Sequence, residues 1–176
     1  NMEEAVESNP YAYRTFNAFF TRALRPDARP IATESDAFVS PVDGTVSQCG
    51  SIEGDRIFQA KGRTYSLLEL FAGDVALAGK YQGGAFATIY LAPYDYHRIH
   101  MPDAGVVRKT TYVPGDLFSV NGATARTVPR LFARNERLVC HFDTDAGPMC
   151  MVMVGALLVS GVETVWNGVN IPTYGD

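Results

Sequence analysis

Several segments of the chain are rich in β-branched and aromatic residues or alternate roughly between apolar and polar positions. Both patterns are typical of half-buried β-strands bounded by turns. They predict strands at 85–91, 105–112 and 137–142, two short strands around a turn at 39–48, a hairpin at 52–57 and a long apolar run at 149–159. No repeat or linker interrupts this succession, so we expect one domain over residues 1–176.

A helical period appears near the start of the chain. Asn9-Pro10 is a typical helix entry, with asparagine at the N-cap and proline at the first helical position. The apolar residues that then recur at helical spacing are Ala12, Phe16, Phe19, Phe20 and Leu24. The pattern predicts a helix over 10–25, and its aromatic stripe either packs on the core of its own domain or docks in a membrane interface.

A shorter helix is predicted at 65–71. Ser66 is a candidate N-cap and Glu69 stands at the third helical position, which is the arrangement of a capping box. Helices do not alternate with strands as they do in a doubly wound sheet. We therefore expect an α+β fold that is predominantly β, with antiparallel sheets in a sandwich-like or barrel-like arrangement and one or two helices near the N-terminus.

The composition is that of a globular protein, with 47% hydrophobic and 19% charged residues. Fifteen basic and nineteen acidic residues give a formal net charge of −4, which argues against a nucleic-acid surface. A local basic cluster consists of Arg14, Arg22, Arg25 and Arg29. The cysteines lack metal-type spacing, so we expect Cys49, Cys140 and Cys150 to be small buried hydrophobes in a reducing compartment.

The segment Tyr96–Pro102 carries two of the three histidines, His97 and His100, among apolar neighbours. Histidine exchanges protons near neutral pH, so an imidazole in a half-buried site is a candidate acid or base. Residues three apart share a face on a helix but point to opposite faces of a strand. The β-forming residues that follow favour a strand, so we expect the two histidines to have different functions. His141 has no motif around it and is expected to be structural.

Two alternatives stay open on these residues alone. A zinc hydrolase would use both histidines with a carboxylate such as Asp43 or Asp116. A non-catalytic β-rich binding module is the second alternative, because the segment 41–46 is similar to the hairpins of lipoyl-type carrier domains. No lysine occupies the turn at which a carrier would attach its group, and Asp43 before Gly44 is in itself an ordinary turn signal.

Several motifs, in the same order along the chain, resemble those of the phosphatidylserine decarboxylase family. They are Ser40-Pro41-Val42-Asp43-Gly44-Thr45-Val46, Tyr94-Asp95-Tyr96-His97-Arg98-Ile99-His100-Met101-Pro102, Tyr112-Val113-Pro114-Gly115-Asp116-Leu117-Phe118-Ser119-Val120-Asn121, Asn135-Glu136-Arg137, Val154-Gly155-Ala156 and Glu163-Thr164-Val165-Trp166. The resemblance extends over nearly the whole chain, from Tyr13 to Trp166. The histidine motif and the Gly115–Asn121 motif are specific to this family.

The resemblance implies a proenzyme that cuts itself at a Gly-Ser bond near its C-terminus. The serine becomes a pyruvoyl group at the head of a small α chain, and the larger N-terminal piece is the β chain. This sequence contains no Leu-Gly-Ser-Thr segment, and its nearest candidate, Val159-Ser160-Gly161, has the wrong order. We therefore expect these residues to be most of a β chain, inert until an α chain supplies the carbonyl.

The resemblance also implies roles for individual residues. The pyruvoyl carbonyl is expected to bind the substrate amine and to act as the electron sink for decarboxylation, as pyridoxal phosphate does. His97 is then expected to protonate the carbanion, while His100, oriented by Asp43, is the base for self-cleavage. Weaker candidates for lining the headgroup pocket are Tyr112, Phe118, Val120 and Asn121. No metal is expected.

The implied substrate, phosphatidylserine, is a bilayer lipid, so the enzyme is expected at a membrane surface. The aromatic helix at 10–25 is the candidate anchor, because aromatic side chains enter the headgroup layer and arginines meet anionic lipid. The expected location is the cytoplasmic side of the inner cell membrane, as a peripheral protein. The expected partners are the α chain and the phospholipid surface, without nucleic acid, and the expected assembly is a dimer of αβ units.

Overall fold

The computed structural model describes residues 2–34 and 36–170. The chain divides into two compact units. The N-terminal unit comprises Asn1–Ser47 and Ile89–Ala104, and the sheet unit comprises Gln48–Thr88 and Gly105–Asp176. That residues 1–176 form a single domain stays a prediction.

The helices in the described residues are short, and side chains fix where they begin. They are a 3₁₀ turn at Pro10–Ala12 and the helices α1 (Phe16–Phe20), α2 (Leu67–Leu70), α3 (Val75–Tyr81), α4 (Gly122–Thr127) and α5 (Leu131–Arg134). Thr15, Asp74 and Asn121 each accept a hydrogen bond from the first turn of the helix that follows them. The predicted capping box of Ser66 and Glu69 is confirmed at α2.

The described strands form several small sheets. The two-stranded pairs are β1 (Thr45–Ser51) with β4 (Ala85–Tyr90), β2 (Arg56–Ala60) with β3 (Arg63–Ser66), and β8 (Glu163–Thr164) with β9 (Gly168–Val169). The largest sheet has the antiparallel order β5 (Gly105–Val113), β6 (Arg137–Thr144), β7 (Gly147–Val154). The fold is therefore α+β and predominantly β, with several antiparallel sheets, as predicted.

The central strand β6 is the most buried element of the sheet unit. Six consecutive residues, Arg137–Phe142, are buried, which means that both faces of the strand are covered. The core around it consists of Ile52, Ile57, Tyr65, Leu67, Leu70, Phe71, Leu77, Ala78, Val113 and Val139. The Arg137 guanidinium in this strand donates to four backbone carbonyls, so its buried charge is solvated by the protein.

The predicted helix over 10–25 is wrong as a single element. Asn9 does cap a helical turn, at Pro10–Ala12, but Tyr13 then takes an extended conformation with φ −77° and ψ 128°. A separate helix, α1, begins after Thr15 and is five residues long. The Thr15 hydroxyl caps that helix, and a side chain that bonds the backbone locally competes with continuous helix.

Two strand predictions are also wrong. Residues 39–44 are irregular, and the strand begins only at Thr45. A Cβ on Gly44 would lie 2.7 Å from the Tyr90 carbonyl oxygen and 2.8 Å from the Ile89 side chain, so this close approach requires glycine. The segment with the two histidines is irregular rather than extended, and it connects β4 to β5.

Other local expectations have mixed outcomes. Cys140 is buried and Cys150 is half-buried, but Cys49 is exposed, so the expectation of burial is wrong for Cys49. Helices α3, α4 and α5 have no counterpart in the sequence prediction, because segments of four to seven residues show hardly any helical period.

Candidate active site

Both candidate histidines lie on the irregular loop 91–104 of the N-terminal unit, which we call the histidine loop. Backbone hydrogen bonds tie this loop to the residues that precede β1. The N–H of His100 donates to the Pro41 carbonyl at 2.9 Å. The N–H of Val39 donates to the Pro102 carbonyl at 3.0 Å. These bonds hold the loop in place without regular strand pairing.

His97 is held at one edge and on one face of its ring. Its Nδ1 lies 2.9 Å from the carbonyl oxygen of Asp95, and because a carbonyl can only accept, Nδ1 carries a proton and donates it. The ring of Phe20 covers the imidazole at a centroid distance of 3.9 Å. Within the part of the chain that the structure describes, Nε2 has no hydrogen-bond partner. This nitrogen is therefore the one left for proton exchange.

The surroundings of His97 disfavour its charged form. Burial lowers the pKa of His97 below its ordinary value of 6.5, and the charge of Arg22 lowers it further, against the opposing effect of Asp95. The neutral imidazole therefore predominates at neutral pH. When Nε2 does carry a proton, that proton is more acidic than the proton of an ordinary histidine.

His100 has a different environment on the same loop. Its side chain is exposed, its ring stacks on Tyr96 at a centroid distance of 5.6 Å, and its Nε2 lies 3.0 Å from the Tyr96 hydroxyl. Burial raises the pKa of Tyr96, so the phenol stays protonated and can donate to Nε2. The two histidines thus have different partners, as expected, although neither lies on a strand.

Asp43 is bound by Arg29. The Arg29 Nε lies 3.0 Å from Oδ1 and 2.8 Å from Oδ2 of Asp43, and Nη2 also donates to Oδ2. Arg29 donates to Glu4 as well, at 3.1 Å, and these bonds raise the pKa of Arg29 and lower the pKa of Glu4. Among the described residues Asp43 makes no hydrogen bond to His100, so its orienting role stays a prediction. The sequence placed Arg29 in a local basic cluster and does not predict this pairing.

A cavity of about 230 Å³ lies in the N-terminal unit beside these groups. Its walls include Arg22, Arg29, Asp43 and the stretch Tyr94–Tyr96 that leads into His97. Charged groups of both signs therefore line this cavity, which suits it to a polar ligand. A larger cavity, of about 420 Å³, lies between α2 and α5 in the sheet unit and is lined by none of the predicted site residues.

The four candidates for the headgroup pocket lie in the sheet unit. The Tyr112 hydroxyl donates to a glutamate at 2.9 Å, and the side chain of Asn121 caps α4. The guanidinium of Arg134 stacks on the Phe118 ring at 4.5 Å, and Val120 is half-buried. Local structure accounts for Tyr112 and Asn121, and a role of the four in substrate binding stays a prediction.

Asn135 joins three of the motifs, which the sequence did not predict. Its side chain is fully buried, and Oδ1 accepts from the Phe118 N–H at 3.1 Å. Its Nδ2 donates to the carbonyls of Phe118 and Gly155, at 2.8 Å each. One amide thus fixes the backbone of the 112–121 and 154–156 motifs.

In the described ranges 2–34 and 36–170, no three histidine, cysteine or carboxylate side chains come together as metal ligands. The family match given below does not favour the zinc-hydrolase alternative. None of the helices in these ranges has the length and apolar character needed to cross a bilayer.

Residues 16–172 match the family model described as phosphatidylserine decarboxylase. The chain is 62% identical, over all 176 residues, to a phosphatidylserine decarboxylase proenzyme of Xanthomonas euvesicatoria pv. vesicatoria (strain 85-10), and covers 62% of that protein. It is 61% identical over the same length to the proenzyme of Xanthomonas axonopodis pv. citri (strain 306), with 62% of that protein covered. It is 60% identical over 172 residues, 98% of the chain, to the proenzyme of Pseudomonas putida (strain W619), and covers 60% of that protein. The chain thus spans less than two thirds of the length of these relatives.

Proposed function

Because the chain belongs to the phosphatidylserine decarboxylase family, we propose that it is most of the β chain of a self-cleaving proenzyme. Joined to an α chain, it would remove the carboxylate of phosphatidylserine as CO₂ and leave phosphatidylethanolamine. The observation that carries this function is the His97 imidazole, fixed by the Asp95 carbonyl and by Phe20, with Nε2 unengaged among the described residues. Such a group is suited to hand a proton to carbon.

Loss of CO₂ leaves an electron pair on the α carbon of the substrate, and this pair must be stored and then protonated. A pyruvoyl group, formed from a serine on the α chain, supplies an electrophilic carbonyl as the electron sink when it is present. The N-terminal unit suits such a group, because it offers a half-buried imidazole with a lowered pKa and a cavity with charged walls. We propose that His97 and His100 are the residues of this chain that act together with the pyruvoyl group or with the serine from which it forms.

His97 carries the transferred proton at Nε2. Its Nδ1 donates to the Asp95 carbonyl in the neutral ring and equally in the charged ring, so the ring need not rotate when it gains or loses a proton. Proton exchange is therefore confined to Nε2. The lowered pKa favours release of that proton to a carbanion, after which solvent restores it.

His100 serves the earlier step, the activation of the serine hydroxyl for self-cleavage. A hydroxyl is a weak nucleophile unless a neighbouring base accepts its proton. A carboxylate has about four acceptor positions, and Arg29 occupies at most three of those on Asp43, because its single Nε–H is shared between Oδ1 and Oδ2 while Nη2 donates to Oδ2. One position at Oδ1 is left for the Nδ1–H of His100, so Asp43 can hold Arg29 and orient His100 at once. The serine hydroxyl would then replace the Tyr96 hydroxyl as the donor to Nε2, which is the nitrogen that accepts the serine proton.

The proposed function is tested with the full-length protein, at the length of the relatives. We expect it to separate into two polypeptides on a denaturing gel, and the smaller one to lose reactivity with hydroxylamine after borohydride treatment. Purified protein should release CO₂ from phosphatidylserine, and added chelator should leave the rate unchanged. An uncut polypeptide, or a small chain that begins with an ordinary amine, would overturn the proposal.

We also propose that the enzyme works as a peripheral protein at the lipid surface, on the cytoplasmic side of the inner membrane. Tyr11 and Phe16 support the contact with a lipid surface, because their side chains are 94% and 73% exposed, and Arg14 between them is exposed too. The docking face is narrower than the sequence predicted, since Phe20 packs on a histidine and Arg22 is buried. A dimer of αβ units stays a prediction.

A further inference from the structure

The last residue of α1 and the two residues that follow it contact the histidine loop within the N-terminal unit. The Phe20 ring lies over the His97 ring, with 3.9 Å between centroids and 35° between planes. The Nε of Arg98 donates to the Thr21 carbonyl at 2.8 Å. The Nη2 of Arg22 lies 3.4 Å from a carbonyl of the same loop. A side chain that begins on α1 is thus part of the immediate surroundings of His97.

A histidine side chain has two rotatable bonds, χ1 and χ2. A single hydrogen bond at Nδ1 restrains the position of that nitrogen but still allows the plane of the imidazole ring to tilt. The Phe20 ring removes this freedom by covering one face of the imidazole. The edge contact with Asp95 and the face contact with Phe20 together determine where Nε2 points. No other described aromatic ring contacts His97.

We propose that Phe20 is a positioning residue for His97, which it holds with Nε2 presented for proton transfer. The inference rests on the proposed function of His97 and deepens it. From the sequence, the aromatic stripe that contains Phe20 either packs on its own domain or docks in a membrane. The Phe20 ring is half-buried and faces the histidine loop. Misplacement of a reacting group by about 1 Å can reduce a rate by about 10²-fold, so a positioning residue of this kind has a measurable effect.

The pKa of His97 offers a second way to test the contact with Phe20, because it depends on burial and on the charged groups nearby. Arg22 lies on the same segment as Phe20, only 5% exposed, and its Nε has no hydrogen-bond partner in the described structure. Its charge acts with burial to lower the pKa of His97, while Asp95 acts in the opposite direction. Removal of the Phe20 ring admits water to the imidazole face and leaves Arg22 and Asp95 in place. The pKa of His97 should then rise towards 6.5.

The test uses Phe20→Ala in the full-length proenzyme, with a water-soluble short-chain substrate so that binding to a lipid surface does not limit the rate. We expect self-cleavage to proceed, kcat to fall between about 10-fold and 10²-fold, and KM to change little. The midpoint of the pH–rate profile should move upward, and so should the NMR titration of the His97 ring. Phe20→Tyr, which keeps an aromatic ring against the imidazole, should have the kcat and the His97 pKa of the wild-type protein.

Phe16→Ala is the matched control for the titration, because Phe16 stacks on Phe20 at 5.6 Å but does not contact His97. It should leave the pKa of His97 unchanged. If the Phe20→Ala protein is not cut, Phe20→Leu, which keeps the apolar volume without a flat ring, is measured in the same way. An unchanged kcat together with an unchanged titration in the cut variant overturns the proposal. Full activity of a His97→Gln variant would instead overturn the proposed function, while the titration would still test the contact.

Discussion

The histidine loop and the central strand β6 each hold a histidine whose pKa is lowered by burial. On the loop this is His97, and on the strand it is His141, which is 3% exposed. The two imidazoles even share a tautomer. The Nδ1 of His97 donates to a carbonyl, and the Nε2 of His141, 3.3 Å from the Lys80 ammonium, must accept, so that its Nδ1 donates to the Tyr81 hydroxyl.

What differs between the two histidines is the second nitrogen. Both ring nitrogens of His141 are hydrogen-bonded to side chains of the same unit, so neither nitrogen is available to exchange a proton with a substrate. The Nε2 of His97 has no partner among the described residues, although the rest of its ring is held firmly. Burial and a lowered pKa therefore do not identify a reactive histidine by themselves. A constrained ring with one unengaged nitrogen does so better.

The largest expected effect separates the two histidines of the loop. His100→Ala or Asp43→Asn should leave the full-length protein as one uncut polypeptide, because the serine hydroxyl then lacks its base or the base lacks its orientation. Self-cleavage is read on a denaturing gel over time. His141→Gln is the comparison variant and should be cut. Normal cleavage of both His100→Ala and Asp43→Asn would remove these two residues from the maturation step.

The next effect concerns His97. His97→Gln should be cut normally but should decarboxylate about 10²- to 10⁴-fold more slowly, which is the range for loss of a general acid. The rate of CO₂ release per cut protein is the measurement. If His97→Gln were uncut and His100→Gln were cut but slow, the two assignments would have to be exchanged.

The site was partly predictable from the sequence, and the reason lies in the kind of information each residue carries. Asp43, His97 and His100 belong to motifs that can be read as strings of residues. The partner of Asp43 cannot be read in this way, because Arg29 is fourteen positions away and the pair forms only in the folded chain. Phe20 was missed for the same reason, since an aromatic stripe has the same appearance whether it faces lipid or a histidine.

The fold shows the same division between local and non-local information. The capping box of Ser66 and Glu69 depends only on four consecutive residues, and it is confirmed. The strands β4, β5 and β6 carry strong β-forming runs and lie close to their predicted ranges. The histidine loop was taken for a strand, because its apolar residues satisfy the same pattern while its hydrogen bonds go to residues 39–41.

A smaller effect concerns stability, and here His141 is the residue that matters. Its pKa is lower in the folded chain than in the unfolded chain, so the unfolded chain binds more protons as the pH falls below about 6.5. Stability should therefore be complete above that pH and decrease below it. At pH 8, His141→Phe should lower the free energy of unfolding by about 1–3 kcal/mol, because Tyr81 and Lys80 lose their partner.

Urea unfolding of the full-length protein at pH 8 and at pH 5.5 measures both effects. The His141→Phe variant should lose part of the pH dependence. Val75→Ser, at an exposed side chain outside the site, is the control and should leave the urea midpoint unchanged. An unchanged pH dependence in His141→Phe would show that the His141 cluster does not govern acid stability.

The smallest expected effect concerns the lipid surface. Replacement of Tyr11 and Phe16 together by Ser should reduce sedimentation with anionic phospholipid vesicles about tenfold, since two exposed aromatic side chains no longer enter the headgroup layer. Val75→Ser on α3 is the control, because Val75 is also 73% exposed but lies outside the aromatic patch. Equal losses for both variants would show that the patch is not a specific docking face.

The most direct test of the central claim, that the unengaged Nε2 of His97 protonates the substrate carbon, is decarboxylation of phosphatidylserine in D₂O. The wild-type product should carry one deuterium at the α carbon, in a single configuration, because a fixed acid delivers it to one face. The product of His97→Gln should form slowly and contain both configurations, since solvent then supplies the deuteron. Fast formation of a single configuration by His97→Gln would contradict the claim.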